Sequence, residues 1–474
     1  MDSFDIAVIG AGPGGYPAAI RAAQLGAHVA LIEREAIGGT CLNWGCIPTK
    51  TLIAAAHLRE EIAAAGAMGI GDGAAPRVDY AALMAHKNHT VAQLQKGVRT
   101  LLASHGVAVL EGTASFVNRN VLAISNGSDA PRQIKTGHTI IATGSASAMP
   151  DFLPRHPRVV DSRAFLDLGQ LPRRLVVLGG GYIGCELACM AAQLGAEVTL
   201  VELLDDVLPL LDADVRREVK RNFERKLKIR LLTGKPLENI HADSAGVRGM
   251  AGEEQIEGDL LLVAVGRQPV TEGLAIHKAG LHANDKGFIE VDECGRTEVA
   301  TIHAVGDVTG GPQLAHAATS QGVLAAENIA AARAMGRRMR RAETLVPGVI
   351  FTAPEVATVG LSETQAQTEG RAIKTGRFPF AALGRALTER RGEGFVKWIV
   401  DAQSDQVVGA AAVGPHASEL IAEATLAVRM ELTASEVGRT IHAHPTFGEA
   451  WMEAAHAVHG ACVHTAKMKR AGAS

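Results

Sequence analysis

Ile6-Ala7-Val8-Ile9-Gly10-Ala11-Gly12-Pro13-Gly14-Gly15 is the stretch whose reading decides the fold. Four apolar residues in a row suit a strand buried on both faces, and G-x-G-x-x-G follows at once. In that pattern Gly10 permits the tight turn and Gly12 lets the backbone approach a pyrophosphate. Gly15 lets helix and strand pack closely. Residues 18–25 read as a helix of small side chains, whose first N–H groups would face phosphate charge. A second strand over 28–32 ends at Glu33, whose carboxylate can accept hydrogen bonds from ribose hydroxyls. A lone glycine motif is weak evidence; a strand before it, a helix after it and the acid in place make a dinucleotide-binding unit.

The same pattern returns later. A strand over 175–178 leads into Gly179-Gly180-Gly181-Tyr182-Ile183-Gly184, a helix over 186–194 and a strand over 197–201 that ends at Glu202. In both copies the first turn glycine lies 23 residues before the acid. The chain therefore carries two nucleotide-binding folds, and its fold class is α/β with two Rossmann-like units. A carboxylate at Glu202 favours a free 2′-hydroxyl and repels a 2′-phosphate. Its neighbours Leu203, Leu204, Asp205 and Asp206 provide no arginine for a phosphate, so NAD is expected rather than NADP.

With 474 residues, the chain has room for three or four domains of roughly 100–200 residues. Apolar residues (47%) and charged residues (20%) are in ordinary proportion for a globular protein with a sizeable core. Few aromatics and 52 glycines suit many tight strand-to-helix turns. The net charge of −3 comes without a basic stripe, which argues against nucleic acid; the cluster 337–341 reads as a solvated helix end. The most apolar stretch, 175–204, is broken by Glu186, Glu197 and a glycine turn, so no membrane span is expected. Residues 1–4 lead straight into a strand, so no signal or transit peptide is expected. Six cysteines do not make a secreted disulfide framework, and a cytoplasmic location follows. Pro150, Pro154 and Pro157 mark a linker, and 344–348 another boundary. The expected divisions are 1–149, 150–271, 272–343 and 344–474.

Thr40-Cys41-Leu42-Asn43-Trp44-Gly45-Cys46-Ile47-Pro48-Thr49-Lys50 carries the chemistry. One cysteine near a helix start and another about a turn later can come within disulfide range. A helix N-terminus lowers thiol pKa, and Lys50, one helical turn past Cys46, adds positive charge. A C-x4-C pair can also be half a metal site, but no second CxxC or suitably spaced Cys/His set accompanies it, so no metal is expected. Cys185 and Cys189 read as small core residues; Cys294 and Cys462 have no evident partner. Near the end, Ile441-His442-Ala443-His444-Pro445-Thr446-Phe447-Gly448-Glu449 offers a general base that titrates near working pH. Pro445 favours extended chain at His444, so both histidines point to one side. Glu449 could hold an imidazole in one tautomer. Sequence physics alone does not choose between His442 and His444.

The cysteine segment resembles the redox signature of the FAD-linked pyridine nucleotide–disulfide oxidoreductases, and the resemblance spans essentially the whole chain. Ile140-Ile141-Ala142-Thr143-Gly144 is similar to the motif closing the first FAD segment. Thr301–Asp307, with Gln313-Leu314-Ala315-His316-Ala317, is similar to the second, and residues 262–267, through Gly266, to the end of the NAD segment. The stretch 351–360 resembles the start of the dimerisation domain. What the resemblance implies is specific. Cys46 faces FAD as a thiolate, Cys41 exchanges with substrate, and Lys50 beside the flavin pairs with Glu186. Asp307 binds the ribityl region. His444 is the base and Glu449 its orienter, reaching the disulfide of the other subunit of a homodimer. FAD would be held by Gly10, Gly12, Gly15, Glu33, Thr40, Lys50, Thr143, Gly144, Asp307 and Ala315. NAD would be held by Gly179, Gly181, Gly184, Glu186, Glu202 and Gly266. The FAD domain is then discontinuous, with the NAD domain inserted and an α+β dimerisation domain at the C-terminus.

Within the family, the C-L-N-x-G-C-I-P-T-K form, the H-A-H-P-T ending, residues 378–385 and the NAD preference resemble the branch that oxidises a dihydrolipoyl group. That group would be carried by an acyltransferase or carrier protein. Trp44 and Ala188 depart from the usual pattern, Trp44 standing where a small apolar residue is common. A glutathione-reductase-like reading is opposed by Glu202, a mercuric-reductase-like one by the single Cys462. A non-catalytic flavin sensor is opposed by the His444–Glu449 pair.

Overall fold

The computed structural model describes residues 1–127, 130–333, 341 and 344–465. The chain divides into two compact units, one of 1–172 and 260–344, the other of 173–259 and 345–474. Of the basic cluster 337–341, residues 337–340 lie outside the described residues.

In the first unit β1 (Asp2–Ile9), α1 (Gly15–Gln24) and β2 (Val29–Glu33) form the expected unit. Gly10 turns with φ +98°, and a Cβ there would stand 2.4 Å from the Ala142 carbonyl oxygen, so the turn admits only glycine. After it come α2 (Gly39–Trp44), α3 (Cys46–Ala65) and α4 (Tyr80–Ser104). The strands β3 (Ala108–Glu111), β4 (Thr113–Asn118), β5 (Val121–Ser125) and β6 (Arg132–Ile141) follow. β7 (Ser145–Ser147), β8 (Val159–Asp161) and the short α5 (Ser162–Phe165) complete the segment.

The second unit opens with β9 (Arg174–Leu178), α6 (Tyr182–Leu194), β10 (Glu197–Glu202), α7 (Ala213–Arg225) and β11 (Arg230–Thr233). β9, β10 and β11 run parallel. A small antiparallel sheet follows: β12 (Leu237–Ala242), β13 (Val247–Ala251) and β14 (Glu254–Gly258).

The chain then returns to the first unit with β15 (Leu260–Val263), parallel to β8, and β16 (Arg267–Pro269), antiparallel to β7. β17 (Ile302–Ala304) adds to β6 in parallel and completes a seven-stranded sheet. Along its path the order is β3-β2-β1-β6-β5-β4. α8 (Ala315–Arg333) packs on α1, and the Thr319 hydroxyl donates to the Pro13 carbonyl at 2.9 Å. The later segment thus closes on the first glycine turn, which makes this unit discontinuous in sequence.

The second unit resumes with β18 (Gly348–Ile350), β19 (Val356–Gly360), α9 (Glu363–Thr368), β20 (Ile373–Pro379), α10 (Gly384–Thr388), β21 (Phe395–Asp401) and β22 (Val407–Val413). The sheet is antiparallel, in the order β18-β19-β22-β21-β20. α11 (Ala417–Arg429), α12 (Ala434–Arg439) and α13 (Glu449–Val458) accompany it. Trp398 on β21 and Trp451 on α13 pack ring to ring at 4.5 Å in the core between sheet and helix. The fold is mixed α/β, parallel at both glycine turns and antiparallel at the C-terminus. No helix among the described residues is long and apolar enough to cross a membrane.

Candidate active site

The two cysteines do not share one helix. The sequence places Cys41 near a helix start and Cys46 a turn later, but the helix breaks between them. α2 ends at Trp44, and Cys46 is the first residue of the 20-residue α3. The break falls at Gly45, where an added Cβ would stand 2.8 Å from the Thr40 carbonyl oxygen. Cys46, rather than Cys41, therefore occupies the N-terminus of the longer helix, where the helix dipole favours a thiolate. Both are thiols, and they hydrogen-bond to each other. That bond, burial and the charge of Cys46 push the Cys41 thiol far above its ordinary pKa, while Lys50 works the other way.

The neighbours hold this turn. Asn43 donates its side-chain amide to the carbonyls of Ile37 (3.1 Å) and Gly39 (2.8 Å), and the Thr49 hydroxyl donates to the Gly45 carbonyl (2.7 Å). Gln95 of α4 donates to the Asn43 carbonyl oxygen. Trp44 lies under the guanidinium of Arg163 from α5, which pairs with Glu35. The unusual residue thus has a partner 119 positions away, which no local pattern announces.

The two glycine turns are built alike. Glu33 Oε2 accepts from the Ala11 N–H (2.8 Å) and its Oε1 from the Glu35 N–H (2.8 Å). Glu202 Oε2 accepts from the Gly180 N–H (2.5 Å) and its Oε1 from the Leu204 N–H (2.8 Å). Each carboxylate oxygen keeps a lone pair for a ribose hydroxyl. Neither Gly14 nor Gly181, which cap α1 and α6, makes a side-chain cap, so no capping side chain stands where a phosphate would lie. An added Cβ on Gly181 would meet nothing within 4 Å, and one on Gly15 would run into the Gly10 carbonyl. Gly179 turns with φ +111°, and Gly184 is buried inside α6. The residues present fit the pyrophosphate and ribose of one dinucleotide at each turn.

Residues 203–206 hold no cation themselves, and α7 brings two beside them. Asp206 pairs with Lys220 at 3.1 Å and with Arg216 at 3.5 Å. A helix that packs beside a loop delivers charges that the loop's own sequence lacks.

The remaining FAD candidates gather in the first unit. The Thr143 hydroxyl donates to the Val270 carbonyl (2.7 Å), and Gly144 turns with φ +67°. Asp307 accepts from the Ser145 hydroxyl (2.5 Å), while Arg267, just after Gly266, donates through Nε to that hydroxyl oxygen (2.7 Å). The sequence gives no sign of Ser145, and it marks Arg267 only as the end of the NAD segment, because a chain of bonds across 162 residues leaves no local signal. Ala315 opens α8, and Thr40 lies in α2. Lys50 lies on α3 of the first unit and Glu186 on α6 of the second, where its carboxylate accepts from the Phe351 N–H at 2.9 Å. Cys185 and Cys189 are buried as core residues. Cys462 does have a partner: its sulfur lies 3.0 Å from Glu453 Oε2, brought there by the turn after α13.

At the C-terminal constellation the two histidines part company. His442 is nearly covered, with Nε2 2.7 Å from Glu423 Oε1 and Nδ1 2.9 Å from the Thr440 carbonyl. Both of its ring nitrogens are engaged. The His444 side chain is 78% exposed, with Nδ1 2.8 Å from Glu449 Oε1. Glu449, first residue of α13, also accepts from the Thr446 N–H at 2.8 Å. His444 presents Nε2 outward from a ring whose other nitrogen is held by a half-buried carboxylate.

Residues 4–322 match the family model "Pyridine nucleotide-disulphide oxidoreductase", and residues 346–455 match that family's dimerisation domain. The chain belongs to the pyridine nucleotide-disulphide oxidoreductase family. Its members contain FAD and use NAD, and the dimerisation domain implies a homodimer. The dihydrolipoyl dehydrogenase of Haloferax volcanii is 45% identical over 470 residues, covering 97% of each chain. That of Thermus scotoductus is 41% identical, covering 98% of this chain and 99% of its own. A crystal structure of LpdA from Mycobacterium tuberculosis superposes with a TM-score of 0.87 at 28% identity, covering 96% of this chain and 99% of that one.

Proposed function

We propose that this chain is a dihydrolipoyl dehydrogenase, oxidising a protein-bound dihydrolipoyl group and reducing NAD+ through a Cys41–Cys46 disulfide and FAD. The observation that carries the reading is the Cys41/Cys46 pair astride Gly45, with Cys46 at the head of α3. Near-full-length identity of 41–45% to dihydrolipoyl dehydrogenases supports it.

In the oxidised enzyme, one substrate thiolate attacks Cys41, the sulfur–sulfur bond breaks, and Cys46 leaves as the thiolate that α3 favours. The second substrate thiol, its proton taken by His444, attacks the mixed disulfide and releases Cys41. The substrate leaves as its cyclic disulfide, and its two electrons reside on the cysteine pair. FAD, when bound, supplies the hydride chemistry that passes these electrons to NAD+, giving NADH. Glu449 orients His444, and Lys50 sets charge beside the flavin. Asp307, held by Ser145 and Arg267, takes the ribityl side.

The same reading assigns 1–149 and 272–343 to the FAD domain, 150–271 to the NAD domain and 344–474 to the dimerisation domain. It places the enzyme in the cytoplasm, as a homodimer with shared active sites serving a lipoyl-bearing acyltransferase or carrier protein. Cys46→Ser is the test: lipoamide-dependent NAD+ reduction disappears while FAD stays bound. Retention of that activity overturns the assignment.

A further inference from the structure

The loop after β10 folds back over the second glycine turn. The Leu208 N–H donates to the Gly180 carbonyl at 2.9 Å, and Val207 packs where a side chain on Gly180 would stand. Glu202 accepts from the Gly180 N–H. Asp206 sits in this loop, and its carboxylate engages two cations from one face of α7, Lys220 at 3.1 Å and Arg216 at 3.5 Å, four residues apart. All three side chains are only partly exposed, so their charges are less screened than those of a surface pair. Arg216 is also under-bonded: its Nε is buried with no hydrogen-bond partner. Glu202 and Val207, the residue after Asp206, both come within 3.2 Å of the point where a Cβ on Gly180 would stand.

We propose that Asp206 is a second determinant of coenzyme choice. It occupies Arg216 and Lys220 and so denies a 2′-phosphate the positive partners that the fold has brought to the ribose edge. The inference rests on the reading of this turn as the NAD site. Charges state the case. The loop's Glu202, Asp205 and Asp206 against Arg216 and Lys220 leave a net −1. Removing one carboxylate brings that to zero, and removing both Glu202 and Asp206 reverses its sign. Glu202 repels a 2′-phosphate directly, whereas Asp206 keeps its counter-charges engaged. Asp206 is a positioning residue for those cations and makes no contact with the reacting atoms.

The test uses the full-length holoenzyme and two probes that differ by one phosphate, 5′-ADP and 2′,5′-ADP, with binding measured by calorimetry. In Asp206→Asn the ratio of the two dissociation constants shifts toward 2′,5′-ADP by about fivefold to tenfold, the scale of one half-screened charge. The kcat/KM ratio of NADP+ to NAD+ moves the same way. Adding Lys220→Gln to Asp206→Asn cancels most of the gain, and Asp206→Glu, which keeps the charge, leaves the ratio near that of the wild type. A melting curve on each variant confirms that folded protein is compared. An unchanged ratio in folded Asp206→Asn, or a gain that survives Lys220→Gln, overturns the inference. Failure of the wild type to bind 5′-ADP or NAD+ at all instead overturns the nucleotide reading on which it rests.

Discussion

The Arg163 guanidinium lies 3.9 Å from the centre of the Trp44 ring, so a cation from α5 covers the last residue of α2, between the two cysteines. Such a contact contributes about 0.5–1 kcal/mol when exposed, and the accompanying pair with Glu35 adds less than about 1. Arg163→Ala should lower the stability of the first unit by about 1 kcal/mol in urea, followed by flavin emission. The cost should shrink in a Trp44→Ala background. An equal cost in both backgrounds would show that the ring contact contributes nothing.

Glu449 serves two donors at once, the His444 ring and the Thr446 N–H. Glutamine at 449 can accept only one of them and turns its NH2 toward the other. Glu449→Gln should reduce kcat with dihydrolipoamide on the order of 10²-fold, and His444→Ala by about 10²–10⁴-fold, with KM changed by no more than about threefold. His442→Ala, which unpairs Glu423, should cost stability instead. A folded His442→Ala enzyme with the larger kinetic loss would exchange the two assignments.

Periodicity and glycine spacing made the two nucleotide-binding units legible, because a βα turn needs glycine at fixed positions and an acid at the end of the next strand. The paired carboxylates of Glu33 and Glu202 sit as that rule requires. The helix break at Gly45 was hidden, since C-x4-C fits one helix or two. Arg216 and Lys220 at Asp206, Arg163 over Trp44, and Arg267 with Ser145 at Asp307 were hidden for another reason. Each contact depends on packing between elements that are distant or separately patterned in sequence. The choice between His442 and His444 came into view only with burial: one ring is enclosed and satisfied, the other presents a free edge.

His303 of β17 is 2% exposed, and neither ring nitrogen has a hydrogen-bond partner. Burial, with His138 beside it, holds its pKa down to about 4, with Asp292 opposing and Arg296 assisting. The unfolded chain binds this proton near the ordinary value of about 6.5. Between those limits the unfolded state carries more protons, so stability falls as pH drops through the window, by about 3 kcal/mol in all. His303→Phe should flatten this part of the stability curve of the first unit between pH 7 and 4.5. Parallel curves for variant and wild type would reject the assignment.

Lys397 of β21 is 2% exposed and meets three carboxylates: Asp212 at 3.0 Å, Asp214 at 2.8 Å and Glu363 at 2.6 Å. Its three donors meet three acceptors, and Asp212 also accepts from the backbone N–H groups of Glu363 and Thr364, both at 3.2 Å. Burial alone would push the ammonium's pKa down, but hydrogen bonds to Asp214 and Glu363 and the surrounding charge hold it above its usual value. Asp212 answers in kind: burial works to raise its pKa, and the Lys397 charge and hydrogen bonds bring it below the ordinary carboxylate value. Lys397→Met strands these charges, and it should cost about 3–5 kcal/mol in the second unit, read from the emission of Trp398 and Trp451. The sign of the pH effect follows from Asp212. A depressed carboxylate stabilises the fold above its unfolded pKa and loses that contribution as pH falls through the folded value. The gap between wild type and Lys397→Met should therefore be widest near pH 7 and narrow below about pH 4, where the stranded acids take up protons. A gap independent of pH would mean that Lys397 acts by filling volume, and that its charge contributes nothing to holding α7, α9 and β21 together.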